Sequence, residues 1–474
     1  MSDSINKEKT LLAAEDEVLS TLNRDGTRHW IRPKLSGGQW YTLRRGLAYV
    51  LMAVFVLVPW VRIGGAPLLR LDLIHREFTF FGATFRPTET PLLMLLLLGI
   101  FFSVFLISAL FGRVWCGWAC PQTVYMEFLF RPLERWFEGT YQQQKAIDKA
   151  GGSLQRMLKN VVYLGLAVVL ANTFVAYFVG TEQLAHWMTG SPFQHPTAFL
   201  VMAGVTAAMF FDFSWFREQT CLVVCPYGRF QSALLDRNSL IVGYDAKRGE
   251  PRGKLKKQGK ALPVAARAEE SPGDCIDCKA CVITCPTGID IRKGLQMECI
   301  NCTQCIDACD AIMTRIGRPT GLIRYSSQNE LEGQSTRILR PRVAIYSTLV
   351  LVLFTALGVL LSTRVPVRVT VLRGRTPFAV LADDRVQNML QLKIDNYEPE
   401  AHDYALEVLE PAGAEVVQAE SPLHVEPHAL ESTSVFILVP RDVFKGGSCA
   451  ARLRVHDEAG FEEVVEYRLL GPRK

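Results

Sequence analysis

Five long apolar stretches constrain this chain more than any other feature: Gly46 to Ile63, Leu92 to Phe111, Val161 to Gly180, Thr197 to Phe216 and Val343 to Ser362. A hydrocarbon core of roughly 30 Å is crossed by about 20 mainly apolar helical residues, and each stretch comes close to that length. Hydrophobic residues make up 49% of the 474, and their gathering into these windows predicts an integral membrane protein with five crossings. Lys and Arg alternate with the crossings: eight in 1–45, three in 64–90, seven in 113–159, none in 181–195 and twenty in 217–342. Basic loops stay inside, so the N-terminal segment, 113–159 and 217–342 are expected on the cytoplasmic side. The polar first 44 residues are expected to remain there rather than act as a secretory signal. Five crossings then place 364–474 on the far side. Its thirteen basic residues oppose this only weakly, because long domains translocate largely regardless of charge, and eighteen acidic residues leave it net negative.

That topology sorts the thirteen cysteines. Cys116, Cys120, Cys221, Cys225 and the eight from Cys275 to Cys309 fall inside, and Cys449 alone falls outside. A reducing compartment disfavours structural disulfides, so metal or redox chemistry is the expectation for the twelve. Haem is disfavoured, because none of the eight histidines lies within an apolar stretch to serve as an axial ligand.

The chemistry concentrates in "CIDCKACVITCP", Cys275 to Pro286, and "CINCTQCIDACD", Cys299 to Asp310. Both are C-x2-C-x2-C-x3-C, the ligand pattern of a bacterial-type ferredoxin with two [4Fe-4S] clusters, in which the fourth cysteine of each run serves the other cluster. Three thiolates on one tight loop wrap three corners of a cubane, and the fourth corner takes its ligand from elsewhere. Cys275, Cys278, Cys281 and Cys309 are therefore expected to hold one cluster, and Cys299, Cys302, Cys305 and Cys285 the other. Ile276, Ala280, Val282, Ile300, Ile306 and Ala308 would coat them and limit water access. Paired zinc sites are the competing reading, but zinc sites usually space cysteines as two separated pairs. The second run ends Cys309-Asp310 where the first ends Cys285-Pro286, which removes no ligand.

Two further pairs, "CGWACP" (Cys116, Cys120) and "CLVVCP" (Cys221, Cys225), each trail an apolar hairpin, as if the membrane region were a duplicated unit. Spacing i, i+4 puts two thiols on one face of a helix, whereas the residue before proline is biased away from helical geometry. Soft thiolates favour Cu(I), Zn(II) or an iron–sulfur cluster. The residues leave three readings open: a copper site, a third cluster, and packing or an occasional disulfide. Trp115 and Trp118 suit interfacial anchoring. Glu127 is expected to be solvated or paired with an arginine. His186, Met188 and His195 stand in the short outer loop, where isolated histidines are ordinarily exposed.

Leu240 to Tyr244 predicts a short strand, and "KLKKQGK" at Lys254 to Lys260 a solvated linker. From Val365 the pattern becomes short alternating runs ("VPVRVTV", "LQLKI", "YALEV", "SVFILV", "RLRVHDE") broken by turn residues, which predicts an antiparallel β-sandwich of roughly 110 residues. Cys449 has no partner on its side and is expected to be a buried small hydrophobe. The expected architecture is thus a multi-domain membrane protein. It has a cytoplasmic segment 1–45, a four-helix membrane region 46–216 in two hairpins and a cytoplasmic region 217–342 with an inserted ferredoxin domain at about 265–320. A fifth transmembrane helix 343–362 and an outer domain 364–474 follow.

In combination, "VWCGWACPQTVYMEF", "CPYGRFQSALLD", "IVGYDAKRGEPRG", the ferredoxin runs, five spans and a β-rich tail resemble the CcoG family of cytochrome c oxidase accessory proteins, also called FixG or RdxA. The resemblance covers nearly the whole chain; the NapH-related polyferredoxins share the paired-cysteine and ferredoxin motifs but not the outer domain. It implies a bacterial inner-membrane protein with an immunoglobulin-like tail. The implied role is reduction of Cu(II) to Cu(I) during cbb3-type oxidase assembly, with two [4Fe-4S] clusters supplying electrons and Cys116, Cys120, Cys221 and Cys225 as copper ligands. Implied partners are membrane lipid, copper chaperones or oxidase assembly factors and an unidentified electron donor, with a homodimer left open and no nucleic acid. A quinol-linked respiratory relay and a non-catalytic scaffold are the alternatives.

Overall fold

The computed structural model describes residues 21, 28–63, 66–73, 76–81, 83–85, 90–150, 154–253, 273–363 and 365–472, apart from 366, 375, 383, 399, 419, 420 and 428. The expected linker Lys254 to Lys260 and the first 20 residues lie outside these. By internal contacts the chain divides into two compact units: Met1–Val61 with Leu69–Arg76 and Glu89–Leu357, and Arg62–Leu68 with Glu77–Thr88 and Gly358–Lys474.

The first unit is built on long helices: α1 (Gln39–Leu57), α2 (Thr90–Phe111), α3 (Leu154–Val179), α4 (Pro196–Phe211) and α5 (Pro341–Ser362). Among the described residues, these five are long and apolar enough to cross a membrane, and most of their surface is left for lipid; only 6% of the window ending at Phe216 is buried within the protein. The chain is a multi-pass membrane protein. Two helices begin about two turns before the apolar stretch that announced them. In α1 the extra turns carry Arg44, and in α3 they carry Lys159, both buried. Hydropathy could not register these turns, because each buries a charged side chain inside the protein: Lys159 is paired with Glu138, while Arg44 donates through Nε to the Gly117 carbonyl.

Aromatic packing ties the helices together. Phe130 stacks on Phe213 with centroids 4.2 Å apart, and the Tyr163 hydroxyl donates to the Phe130 carbonyl at 2.7 Å. The expected strand appears as β1 (Ile241–Tyr244), paired antiparallel with β2 (Ile323–Ser326). This strand pair brackets the ferredoxin loops in sequence, and all four β1 residues are buried.

The second unit contains a two-sheet sandwich. Its strands are β3 (Val367–Arg373), β4 (Arg385–Asn396), β5 (His402–Glu410), β6 (Glu415–Gln418), β7 (Leu423–Val425), β8 (Leu430–Pro440), β9 (Ser448–His456) and β10 (Glu462–Leu470). One sheet runs β6-β8-β4-β3, with the short strand Ala379–Val380 also on β4; the other runs β7-β5-β9-β10. Alternation sets which residues face inward: along β4, Val386, Leu390, Leu392 and Ile394 are buried against Val435, Ile437 and Val439 of β8 and Leu453 and Val455 of β9. Cys449 is half-buried at the margin of this core rather than fully enclosed.

Candidate metal centres

The two ferredoxin runs fold as matched loops. In the first, Asp277 and Lys279 have φ of 51° and 56°; in the second, Asn301 and Thr303 have φ of 53° and 63°. Asp and Asn tolerate this left-handed region, but a β-branched Thr rarely enters it. Two left-handed residues in each loop coil the chain tightly and turn its amides toward a common concavity. A helix follows each loop, Ala280–Ile283 and Gln304–Arg315; Cys285 lies just past the end of the first, and Cys309 within the second.

The thiols of the two runs divide between two cavities, with one cysteine common to both. Cys275, Cys278, Cys281 and Cys309 line one small cavity, with Tyr244, Met313 and Ile323 in its wall. Cys285, Cys299, Cys302 and Cys305 line a second small cavity, walled by Val242, Ile291 and Ile300, and Cys281 borders this one too. Six of the eight are buried, Cys305 is half-buried and Cys278 is exposed. Burial pushes the thiol of Cys299 up to about 11 and those of Cys281, Cys302 and Cys309 up to about 12. Such thiols give up their protons only to a bound cation. Among the described residues, no three His, Cys, Asp or Glu side chains gather closely enough to hold a single ion. Thiols spread around a cavity, soft and shielded by apolar walls, fit the corners of a cubane. Of the expected coat, Ile300, Ile306 and Ala308 are buried, while Ile276, Ala280 and Val282 are half-buried.

Each paired-cysteine segment resolves the conflict between helix and proline in the same way. Cys116 sits in the short helix Val114–Trp118, and Cys221 in the turn Thr220–Val224. Cys120 (ψ 126°) and Cys225 (ψ 109°) are extended, and each leads into a helix started by the next proline. The two segments come together: burial pushes the Cys221 thiol well above its ordinary value, and the nearby Cys120, Cys116 and Cys225 push it further. Cys116, likewise raised by burial to about 11, donates to Gln231 Oε1 at 3.0 Å and packs with Ile300 and Cys302 of the second ferredoxin loop. Gly117 permits this approach, since a Cβ there would meet the Ile300 carbonyl oxygen and lie 2.9 Å from the Asn301 backbone. Trp118 corrects the anchoring expectation: it donates to the Tyr325 hydroxyl at 2.9 Å, which in turn donates to the Asn301 carbonyl at 3.0 Å, whereas Trp115 is exposed.

The sequence did not announce the charge network beneath these loops. Glu134 accepts from Arg32, from Lys159 at 3.5 Å and from Arg217 at 2.9 Å. Glu138 pairs with Lys159 at 2.7 Å, and Glu218 with Arg28 at 3.3 Å and Arg131 at 3.5 Å. Glu127 is buried and paired with Arg131, and Gln304 of the ferredoxin helix donates to it at 3.1 Å. Burial alone would raise Glu134, but Arg217, Arg32 and Lys159 outweigh it and hold the carboxyl well below the ordinary range. Asp307 adds a second tie, accepting from the Trp40 and Tyr41 amides at 3.2 and 2.7 Å and so capping α1. A partial signal was present: Arg131, Glu134 and Glu138 recur at helical spacing in "RPLERWFE". On the other side of the bundle, the His186 and His195 rings stand 5.9 Å apart, and His195 and Met188 line a largely apolar cavity with Trp187 and Met202.

Comparison with known proteins places this architecture. Residues 216–328 match a 4Fe-4S dicluster domain, 93–139 a 4Fe-4S binding domain, and 357–472 the IG-like fold at the C-terminal of FixG. Protein RdxA of Cereibacter sphaeroides is 34% identical over 461 residues, covering 91% of this chain and 94% of that one. The chain belongs to the FixG/RdxA family. Protein RdxB of the same organism is 36% identical over 401 residues (80% of this chain, 82% of RdxB), and nitrogen fixation protein FixG of Rhizobium meliloti is 31% identical over 488 (92% of each). This FixG/RdxA member is accordingly an iron–sulfur electron-transfer protein of the membrane with an immunoglobulin-like C-terminal domain.

Proposed function

We propose that this FixG/RdxA protein reduces Cu(II) to Cu(I) for the assembly of a cbb3-type cytochrome c oxidase, receiving the copper on Cys116, Cys120, Cys221 and Cys225. The observation that carries this reading is the packing of Cys116 against Ile300 and Cys302, which sets one of the four thiols on the loop of a ferredoxin site, with the other three in its electrostatic neighbourhood. Soft sulfur selects Cu(I) over Cu(II), so thiols beside an electron store favour the reduced ion. Cys275, Cys278, Cys281 and Cys309 are assigned to one [4Fe-4S] cluster and Cys299, Cys302, Cys305 and Cys285 to the other. Loaded clusters supply electrons singly, one for each Cu(II) converted. The protein's own residues keep water from the thiols, hold the two loops in contact and fix their separation. The proposed setting is a bacterial inner membrane with the ferredoxin region cytoplasmic and the sandwich periplasmic, handing Cu(I) to a chaperone or assembly factor.

The test uses anaerobically purified protein, reduced with dithionite, desalted and mixed with Cu(II). Formation of Cu(I), read with bicinchoninate, is expected to track the electrons stored and to fall sharply in Cys116→Ser and Cys221→Ser. Cluster reduction by quinol with no Cu(I) formed would support a respiratory relay instead. Normal oxidase assembly with cluster-cysteine variants that still accumulate would support a scaffold. A second reading rests on the 4Fe-4S binding domain match over 93–139, which spans Cys116 and Cys120: the four thiols hold a third cluster. Iron analysis separates them, at about eight irons for two clusters and about twelve for three.

A further inference from the structure

Arg44 is fully buried, at 0% exposure, in the first turns of α1. Its Nε donates to the Gly117 carbonyl at 2.9 Å, and its carbon lies 5.3 Å from the centre of the Phe128 ring. Among the described residues, neither Nη1 nor Nη2 has an acceptor. A buried ion costs several kcal/mol unless opposite charge compensates it, and no carboxylate pairs with this one. What lies beside it is the second ferredoxin loop. Gly117 rests on the Ile300–Asn301 backbone, and the guanidinium opposes the burial that raises the Cys302 thiol. The first cavity differs. Its cation, Arg292, is already neutralised by Asp277 at 2.5 Å and Asp290 at 2.6 Å.

We propose that Arg44 supplies the compensating charge of the site formed by Cys285, Cys299, Cys302 and Cys305, making it the higher-potential of the two cluster sites. Net charge around a cluster is one of the terms that set its potential. An uncompensated guanidinium in low dielectric favours the more negative, reduced state, and the paired Arg292 does so far less. The site touching the Cys116 loop is then the one on which an electron comes to rest. Arg44 also positions that loop through Gly117, so the test must separate charge from hydrogen bonding. The inference rests on the cluster sites and not on copper, and its failure would leave the copper reading standing.

The experiment is a dithionite titration of the holoprotein in detergent without copper, followed by EPR, with iron measured in parallel. The wild type is expected to show two one-electron steps. Arg44→Gln, neutral but still able to donate to Gly117, should lower the higher step and leave the lower one in place. Arg44→Lys, which keeps the charge, should leave both near the wild-type positions. Cys278→Ser, in the other site, should shift or abolish only the lower step. If Arg44→Gln loses about half its iron while Arg44→Lys retains it, charge compensation is likewise supported. The proposal is overturned if the two Arg44 variants behave alike, if the lower step moves in Arg44→Gln, or if Cys278→Ser alters the higher step.

Discussion

Replacing Gly117 with alanine adds one methyl group at the contact between the first paired-cysteine loop and the second ferredoxin loop. Its Cβ would stand 2.9 Å from the Asn301 carbonyl carbon and oxygen, with the Ile300 carbonyl oxygen closer still. Ordinary contact begins near 3.4 Å, so the Ile300 carbonyl oxygen, the nearest of these atoms, must retreat by about 1 Å. All the opposing atoms are backbone, and no side chain can rotate away. Overpacking of this kind costs about 1–3 kcal/mol, and the upper end applies where nothing yields. Gly117 lies in a short helix, where alanine gains about 1 kcal/mol. The net loss is about 2 kcal/mol, or roughly 3 °C in unfolding temperature for a unit of more than 300 residues. Bleaching of cluster absorbance on heating reads the stability, and bicinchoninate-detected Cu(I) reads the coupling between loops; both should fall. Gly165→Ala in α3 is the control, because its Cβ meets nothing within 4 Å and only the helical gain should remain. A Gly117→Ala protein that unfolds at or above the wild-type temperature, with undiminished Cu(I) yield, would refute the claim that the loops are in backbone contact.

Glu134→Gln leaves Arg32, Arg217 and Lys159 buried against a neutral amide and should cost about 3–5 kcal/mol in thermal unfolding. In the wild type the Glu134 contribution is complete above the unfolded carboxyl value of about 4.3 and is lost as pH falls toward the folded value. The acid limb of stability should therefore be shallower in Glu134→Gln. Cys309→Ser and Cys278→Ser should disturb the same EPR signal and Cys285→Ser the other, because the fourth ligands cross between runs. Leu453→Ala, at a fully buried position of β9, should lower the unfolding temperature of the sandwich by the equivalent of about 2–5 kcal/mol, with iron content unchanged.

Legibility followed the range of the interaction. Apolar runs and period-two alternation are local signals, so the five helices and strands β3, β4, β5, β8 and β9 could be read from segments such as "LQLKI" and "SVFILV". The C-x2-C-x2-C-x3-C spacing leaves little slack, so an exchange of fourth cysteines could be proposed from the sequence, and Cys309 lines the cavity of the first run while Cys285 lines that of the second. Pairing of the two Cys-x-x-x-Cys-Pro segments was open in the sequence, since it depends on how two hairpins pack. Less still could be read of groups whose partners lie far along the chain. Asp307 resembles any helix-surface aspartate until it is found capping α1, and its counterpart in the first run is Ile283, so comparing the runs hides the role. Trp118 was misjudged in the direction of lipid for the same reason, while Glu127 took the arginine-paired one of its two expected states, with Arg131.

Arg217 shows how these distant partners bear on the site. It follows the turn Asp212–Phe216 at the end of α4, and its φ of 57° is one a long side chain seldom adopts. Strain of this kind costs about 1–3 kcal/mol and persists only where the surroundings over-determine it. Here Gln122, just past the first cysteine pair, donates to the Arg217 carbonyl at 3.0 Å, while Glu134 holds the guanidinium at 2.9 Å. The first segment thereby dictates the backbone angle at which the second leaves the membrane helix, and that angle brings Cys221 toward Cys116 and Cys120. An apolar contact would let the hairpins slide past one another. A bidentate ion pair on a strained residue does not, so the network serves the thiols chiefly by fixing direction, even where its net contribution to stability is small.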